Sequence, residues 1–306
     1  MHLPKRDKKP KGLLNKTTGL LNFSDYKKKQ HVFGYGCMIA LLLIFVIIAL
    51  LPIIWLFVSS FKTPKEINAS NYKLLPESWD FAQFIELWKQ CGLTDIYINT
   101  LVAVIGAVIC AVVFNSLLAY VIAILRPKGS KVIHVMVLLA YMIPSALAIY
   151  PLILSIDRLN LLGTYLPLWF VFGANAYYYM LFKNYFEKLP ESLIEAARID
   201  GLSDFKVFFK IVLPLAKPMI GVIAIFAMTA AYSDFLLPYL VIGQGGPENW
   251  TLMVAIYRYS ATDEIRAHIL KLLIMSVIPQ LIIFLIFQKQ IMNNNVTGGM
   301  KEWYYG

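Results

Sequence analysis

Six stretches of this chain are each long and apolar enough to cross a lipid bilayer, and they constrain the fold more than any motif does. They cover residues 34–60, 98–125, 132–155, 162–182, 219–243 and 268–288, with lengths of 27, 28, 24, 21, 25 and 21. About 20 apolar residues in a helix span roughly 30 Å of hydrocarbon. Four of the blocks contain no Asp, Glu, Lys or Arg; the exceptions are Asp234 in the fifth and Lys271 near the start of the sixth. Six such helices are too many to be the core of a 306-residue soluble protein. In lipid a backbone must satisfy its own hydrogen bonds, and helices do so. The expected fold is all-α, a polytopic membrane protein with six transmembrane helices. Composition agrees, with 59% hydrophobic residues against 15% charged, which excludes disorder for the bulk of the chain. Three cysteines, Cys37, Cys91 and Cys110, are too few for a disulfide scaffold.

The first block begins after more than 30 residues and lacks a small-x-small exit before Phe61 and Lys62, so it reads as a retained span rather than a cleaved signal. Charge placement then predicts orientation. With the N-terminus inside, segments 1–33, 126–131, 183–218 and 289–306 hold 20 Lys and Arg, against 7 in segments 61–97, 156–161 and 244–267. This is the positive-inside bias, with Lys27, Lys28 and Lys29 directly before the first span. The net charge of +10 accordingly marks topology and contact with anionic lipid. No basic soluble module suggests nucleic acid as a partner. The expected organisation is a cytoplasmic basic tail over 1–33, a transmembrane domain over 34–288, and a cytoplasmic tail over 289–306.

The connecting segments are short. No glycine-rich phosphate loop ending in Lys-Ser or Lys-Thr is present, so any use of ATP requires another chain. His2, His31, His134 and His268 are scattered, and no metal or catalytic cluster is apparent. Phe81, Ile85 and Trp88 repeat at helical spacing and predict a short surface helix in the first outer segment. Pro52, Pro144, Pro151, Pro167 and Pro279 lie inside spans, where neighbouring protein must satisfy the freed carbonyls. Pro144 and Pro151 in one span predict a kink.

The long inner segment 183–218 is the most informative. Pro190 and Glu191 suit a helix start, and Gly201 suits the left-handed residue that ends one. Leu193, Ala196 and Ala197 fall on one face of that helix. Ser203 can cap a second helix carrying Phe205, Phe208, Phe209 and Val212. The physical expectation is a helix–turn–helix with one apolar and one charged face. It fits either a groove on a soluble partner or a membrane surface.

The run Glu195-Ala196-Ala197-Arg198-Ile199-Asp200-Gly201, followed by Leu213-Pro214 and Pro218, resembles the EAA loop of ABC-importer permeases. Asn99-Thr100, Ile143-Pro144, Tyr150-Pro151-Leu152, Asp234-Phe235-Leu236-Leu237-Pro238 and Gln288-Lys289 extend the resemblance over roughly residues 35–301. It is closest to the MalG-like permease subunits of carbohydrate importers. Leu202, Tyr232-Ser233 and Asn293-Asn294-Asn295 depart from that pattern, as does Lys271 within the sixth span.

The resemblance implies an ATP-driven importer in a bacterial cell membrane, with both termini cytoplasmic. A second homologous permease subunit would complete the pathway. Two copies of an ABC ATPase subunit would supply ATP and Mg, and an external solute-binding protein would deliver a sugar, oligosaccharide or related polyol. This chain would bind no cofactor and perform no catalysis. Segment 187–218 would be its coupling loop, with Glu195, Ala196, Ala197, Asp200 and Gly201 seated in the ATPase. Polar residues inside spans usually face protein or a water-filled cavity, which makes Asn115, Ser145, Asn175, Asp234 and Gln280 the candidates for a substrate pathway. A permease for a non-sugar solute and an ion-coupled secondary transporter are the alternatives.

Overall fold

A computed structural model describes residues 29–67, 73–261 and 268–300, with side chains described for 33–67, 73–261 and 268–288. Most of the basic tail, including Lys27 and Lys28, lies outside the described residues. So do residues 301–306 and the side chains of Asn293, Asn294 and Asn295.

Every regular element among the described residues is helical. In order they are α1 (Lys29–Ser60), α2 (Ala82–Gln90), α3 (Leu93–Tyr120), α4 (Ser130–Met142), α5 (Ser145–Arg158), α6 (Leu166–Gly173) and α7 (Ala176–Phe186). Then come α8 (Glu191–Ile199), α9 (Asp204–Leu215), α10 (Lys217–Ser233), α11 (Leu236–Val241), α12 (Leu252–Ser260) and α13 (Ile269–Met300). The surface helix expected around Phe81, Ile85 and Trp88 is α2.

The chain is an all-α polytopic membrane protein. Among the described residues, three helices are long and apolar enough to cross a membrane, over Phe33–Ser60, Leu93–Leu125 and Ile269–Gln288. The number rises to five if two bent pairs each count as one span. The apolar blocks three, four and five are therefore not the continuous helices that hydropathy suggests. Block three breaks at Ile143-Pro144, where α4 and α5 meet at 106°. Pro144 lacks an N–H and disfavours helix at the residue before it, and Ile143 is extended. Pro151 lies inside α5. Block four is split between α6 and α7 at Ala174-Asn175, and block five between α10 and α11 at Asp234-Phe235.

Residues up to Phe57 form one compact unit and residues from Val58 onward another. In the first, α1 is apolar on every side from Phe33 to Phe57. In the second, α3 is the hub, packing against α6, α7, α10 and α12. Small residues on α3 and α6 let the two helices approach closely. A Cβ at Gly106 would lie 2.2 Å from the Trp169 ring of α6, and one at Gly173 2.8 Å from Phe114. Such small-residue seams drive helix packing in membranes, where lipid supplies no hydrophobic contrast. The main core joins Ala111, Ala119 and Tyr120 of α3 to Tyr178, Tyr179, Phe182 and Phe186 of α7. It continues into Ile194 and Ala197 of α8, Val207, Phe208 and Val212 of α9, and Ile223 and Ala227 of α10. Tyr178 and Tyr179 are thus core residues.

Lys271 is fully buried in α13. Its Nζ lies 3.3 Å from the Lys62 carbonyl oxygen, to which it donates, and 3.4 Å from His268 Nδ1.

Candidate functional site

The segment between α7 and α10 forms the helix–turn–helix that its residues suggest. Pro190 stands just before α8 with extended backbone, so its missing N–H costs nothing there. α8 ends in a paired-bond turn. The Leu202 N–H donates to the Ala197 carbonyl at 3.1 Å and the Gly201 N–H to the Arg198 carbonyl at 3.0 Å. Gly201 takes φ of +80°, the left-handed conformation this turn requires. Leu202, two residues past the cap, packs on the core that holds Ile194 and Ala197. That contact is the usual companion of such a turn and accounts physically for a large side chain at this position. Ser203 occupies the cap position of α9, but its hydroxyl makes no capping bond; its carbonyl accepts from Val207 N–H at 2.9 Å.

The buried face of α8 is Ile194 and Ala197, not Leu193, Ala196 and Ala197 as the spacing suggests. In α9, Phe208 and Val212 are buried while Phe205 and Phe209 are exposed, so the expected single aromatic face divides in two. Ile199 is 85% exposed and Phe205 69% exposed, one on each side of the turn. Glu195, Ala196, Asp200 and Gly201 are exposed as well, and only Ala197 of the five coupling candidates is buried. Among the described residues Glu195 makes no hydrogen bond or ion pair. It lines a cavity of about 200 Å³ with Arg126, Glu191 and Arg198.

Two ion pairs fix this element. Arg198 Nη2 meets Asp204 Oδ1 at 3.0 Å across the turn, and Arg126 Nη1 meets Glu191 Oε1 at 3.0 Å. The Tyr120 hydroxyl of α3 donates to the Asp204 carbonyl at 2.9 Å. Arg198 therefore serves the turn rather than reaching toward lipid. These bonds join α8 and α9 to the end of α3, the hub of the bundle.

The five candidates for a substrate pathway stand at helix breaks or helix contacts. Asn115 is buried, with Nδ2 donating to the Phe172 and Ala111 carbonyls at 2.9 and 2.7 Å and Oδ1 accepting from Asn175 N–H at 3.2 Å. Asn175 caps α7, its Oδ1 accepting from Tyr178 N–H at 3.1 Å. The Asp234 carboxylate faces the backbone amides of Phe235, Leu236 and Leu237 at the start of α11. Gln280 Nε2 donates to Ser233 Oγ at 2.9 Å, joining α13 to α10, and Ser145 is exposed at the bend that opens α5. The structure thus brings Asn115 and Asn175 together and keeps the other three apart from them. Hydropathy alone did not reveal this purpose: the Gly173-Ala174-Asn175 triplet, a small-residue pair before a capping residue, is the signal that marks the break.

Residues 115–292 match the model of the binding-protein-dependent transport system inner membrane component family. The chain belongs to that family. The diacetylchitobiose uptake system permease protein NgcG of Streptomyces coelicolor is 29% identical over 82% of this chain and 84% of its own length. A Bacillus subtilis permease of a polygalacturonan/rhamnogalacturonan transport system, YtcP, is 30% identical over 70% of this chain and 74% of its own. The arabinooligosaccharides transport system permease protein AraQ of the same organism is 28% identical over 86% and 95%. The fold is shared with a chain in the crystal structure of a bacterial ABC transporter involved in the import of the acidic polysaccharide alginate. That match has a TM-score of 0.75 at 24% identity, covering 89% of this chain and 99% of that one. Family membership makes this chain a transport subunit and not an enzyme. No group of three His, Cys, Asp or Glu able to hold a metal occurs among the described residues.

Proposed function

We propose that this chain is one of two permease subunits in an ATP-driven carbohydrate importer, and that α8 and α9 are its coupling element. The observation that carries the reading is the split character of that element. Ile194, Ala197, Val207, Phe208 and Val212 root it in the bundle core, while Glu195, Ala196, Ile199 and Phe205 are exposed. An amphipathic helix pair that leaves Ile199 and Phe205 uncovered is suited to a groove on a soluble partner.

In this reading the six apolar blocks are six spans, three of them broken, and both termini face the cytosol, as the charge bias requires. Two ATPase subunits receive the coupling elements of the two permeases, and an external binding protein delivers substrate. Closure of the ATPases draws the elements together and biases the bundle toward one of two states. Carbohydrate is the substrate class, because the relatives described above are named for chitobiose derivatives, arabinooligosaccharides and pectic polymers. Ser145 and Gln280 face the pathway, being the candidates whose polar atoms serve no backbone group in the bundle.

The test is a reconstituted complex carrying Gly201→Asp or Glu195→Ala. Both variants should insert normally and lose substrate-stimulated ATP hydrolysis, while the isolated ATPase keeps its basal rate. A cysteine at Ile199 should crosslink to the ATPase. Full transport by Gly201→Asp together with no crosslink from position 199 would sink the coupling role.

A further inference from the structure

A second cavity, of about 530 Å³, shares Arg126 and Glu187 with the one that Glu195 lines. It is lined by the turn between α3 and α4 and by Lys183 and Glu187 of the α7 end. Four cations line it, Arg126, Lys128, Lys131 and Lys183, with His134, against one carboxylate, Glu187. Two of the cations are already matched, Lys183 to Glu187 at 2.7 Å and Arg126 to Glu191 at 3.0 Å. Lys128 and Lys131 have no acidic partner among the described residues. The cavity therefore carries two uncompensated positive charges at its mouth.

Below that mouth the wall turns apolar. Val132 and Ile122 line the cavity, and α4 continues from it with Val135, Met136 and Leu139 each more than half exposed. One compound presents an anion and an apolar chain at the matching places: a phospholipid with an anionic headgroup. A soluble phosphate would satisfy the lysines and leave the apolar strip bare. An acidic protein surface would leave it bare as well.

We infer that the cavity framed by Arg126, Lys128, Lys131 and Lys183 binds the headgroup of an anionic phospholipid, with an acyl chain lying along Val132, Met136 and Leu139 of α4. The inference rests on the orientation proposed above only for the leaflet concerned, the cytoplasmic one. Binding itself is independent of that orientation. Basic pockets between membrane helices are suited to such headgroups, and each lysine near an anionic surface contributes about fivefold in affinity.

The experiment is native mass spectrometry of the full chain in detergent, titrated with phosphatidylglycerol and separately with phosphatidylcholine. The wild type should retain phosphatidylglycerol preferentially. The double variant Lys128→Gln, Lys131→Gln should bind it about 30-fold more weakly. Lys128→Arg with Lys131→Arg should keep the affinity, which separates charge loss from misfolding. Lys89→Gln, in the segment before α3, should change nothing. Equal affinity in the Gln double variant and the wild type overturns the site. Equally tight binding of glycerol 1-phosphate overturns the lipid, since it would show that the chain contributes nothing. Loss of ATPase binding with phosphatidylglycerol affinity intact would assign the lysines to a protein contact instead.

Discussion

Two interruptions of helix in this protein are closed in opposite ways. Between α6 and α7 the chain breaks beside the buried Asn115, and a side chain from another helix helps close the gap. Asn115 of α3 donates to the Phe172 carbonyl and accepts from the Asn175 amide, two of the backbone groups the break sets free, while Asn175 itself caps the Tyr178 amide. Between α8 and α9 the chain breaks at the surface, and the backbone closes itself through Gly201 and the amides of Gly201 and Leu202. The difference follows from solvent. A freed amide in a dry interior has nowhere else to turn, so the sequence must carry a dedicated polar residue. At a wet surface water completes whatever the turn leaves, and the only requirement is a residue that tolerates positive φ. At the break beside Asp234 the polar residue is local, with its own carboxylate facing the amides that open α11.

If this contrast holds, the largest effect belongs to Asn115. Asn115→Leu strands the Phe172 carbonyl and the Asn175 amide, which are half-buried beside it. At about one to three kcal/mol per unsatisfied buried group, two groups would cost about 2 to 6 kcal/mol; partial burial puts the expected cost in the lower part, about 2 to 4 kcal/mol. It should appear as a clearly lower thermal midpoint in detergent and as new proteolysis near residue 174. Asn115→Asp keeps the acceptor but loses the donor and should fall between. An unchanged midpoint for Asn115→Leu would falsify the idea that this break depends on a foreign side chain.

The same contrast explains what could be read from residue order. Hydropathy found the six blocks, because membrane thickness sets a length that composition alone reveals. It could not find the breaks at Ala174 and Asp234, since a hydropathy window averages over a broken helix as readily as a straight one. Asn115, Asn175 and Asp234 stand out in the sequence as polar residues in apolar surroundings, yet the backbone groups beside them are partners that no one-dimensional pattern displays. In the surface element, Gly201 and Pro190 were legible because each acts through its own backbone. The buried face of α8 was not. Leu193, Ala196, Ala197 and Ile194 all satisfy helical spacing, and the choice of Ile194 with Ala197 is made by α3 and α7, distant in sequence. Glu195 has the exposure of a contact residue but, among the described residues, none of the partners its carboxylate suggests.

A smaller effect is expected at the surface turn. A Cβ placed at Gly201 meets nothing within 4 Å, so the cost of Gly201→Ala comes from φ alone. It should be roughly 1 kcal/mol. Gly201→Asn should cost less, because Asn visits the left-handed region more readily. Loss of coupling in Gly201→Asn with stability preserved would show that partner contact, and not the turn itself, needs the glycine. A stability loss for Gly201→Ala matching that of Asn115→Leu would erase the distinction between wet and dry breaks.

Weaker again is the ion pair that crosses the same turn. Arg198 and Asp204 are each about half exposed, at 45% and 53%. Exposed pairs contribute from nothing to about 1 kcal/mol and are screened by salt. Arg198→Gln should therefore lower the midpoint slightly at low ionic strength and not at all at high. Salt-independent loss would mean that Arg198 acts through packing or through the partner.

The smallest effect tests whether a side chain can close a helix start at the wet surface and still matter. Thr63 and Glu66 form a reciprocal cap on a one-turn helix, Pro64–Ile67, that follows α1. The Thr63 amide donates to Glu66 Oε2 at 2.7 Å, and the Glu66 amide donates to Thr63 Oγ1 at 3.3 Å. The other oxygen, Glu66 Oε1, accepts from the Glu77 amide at 2.7 Å, closing the loop that leads toward α2. Hydrogen bonds from the Thr63 and Glu77 amides and the Thr63 hydroxyl favour the ionised form and hold this carboxyl below its usual value. The sign follows: a depressed folded-state value means that the cap's stabilisation is complete above the unfolded carboxylate pKa and is lost as pH falls through the lower one. The amide resonances of Thr63 and Glu77 should titrate together with a midpoint below 4.5, and Glu66→Gln should abolish that titration while leaving the global thermal midpoint nearly unchanged. Solvent screening keeps the energetic consequence small at so exposed a site. A midpoint at or above 4.5 would mean that these amides do not hold the carboxylate. A large drop in thermal midpoint for Glu66→Gln would mean that a surface cap here bears as much of the fold as Asn115 does inside it.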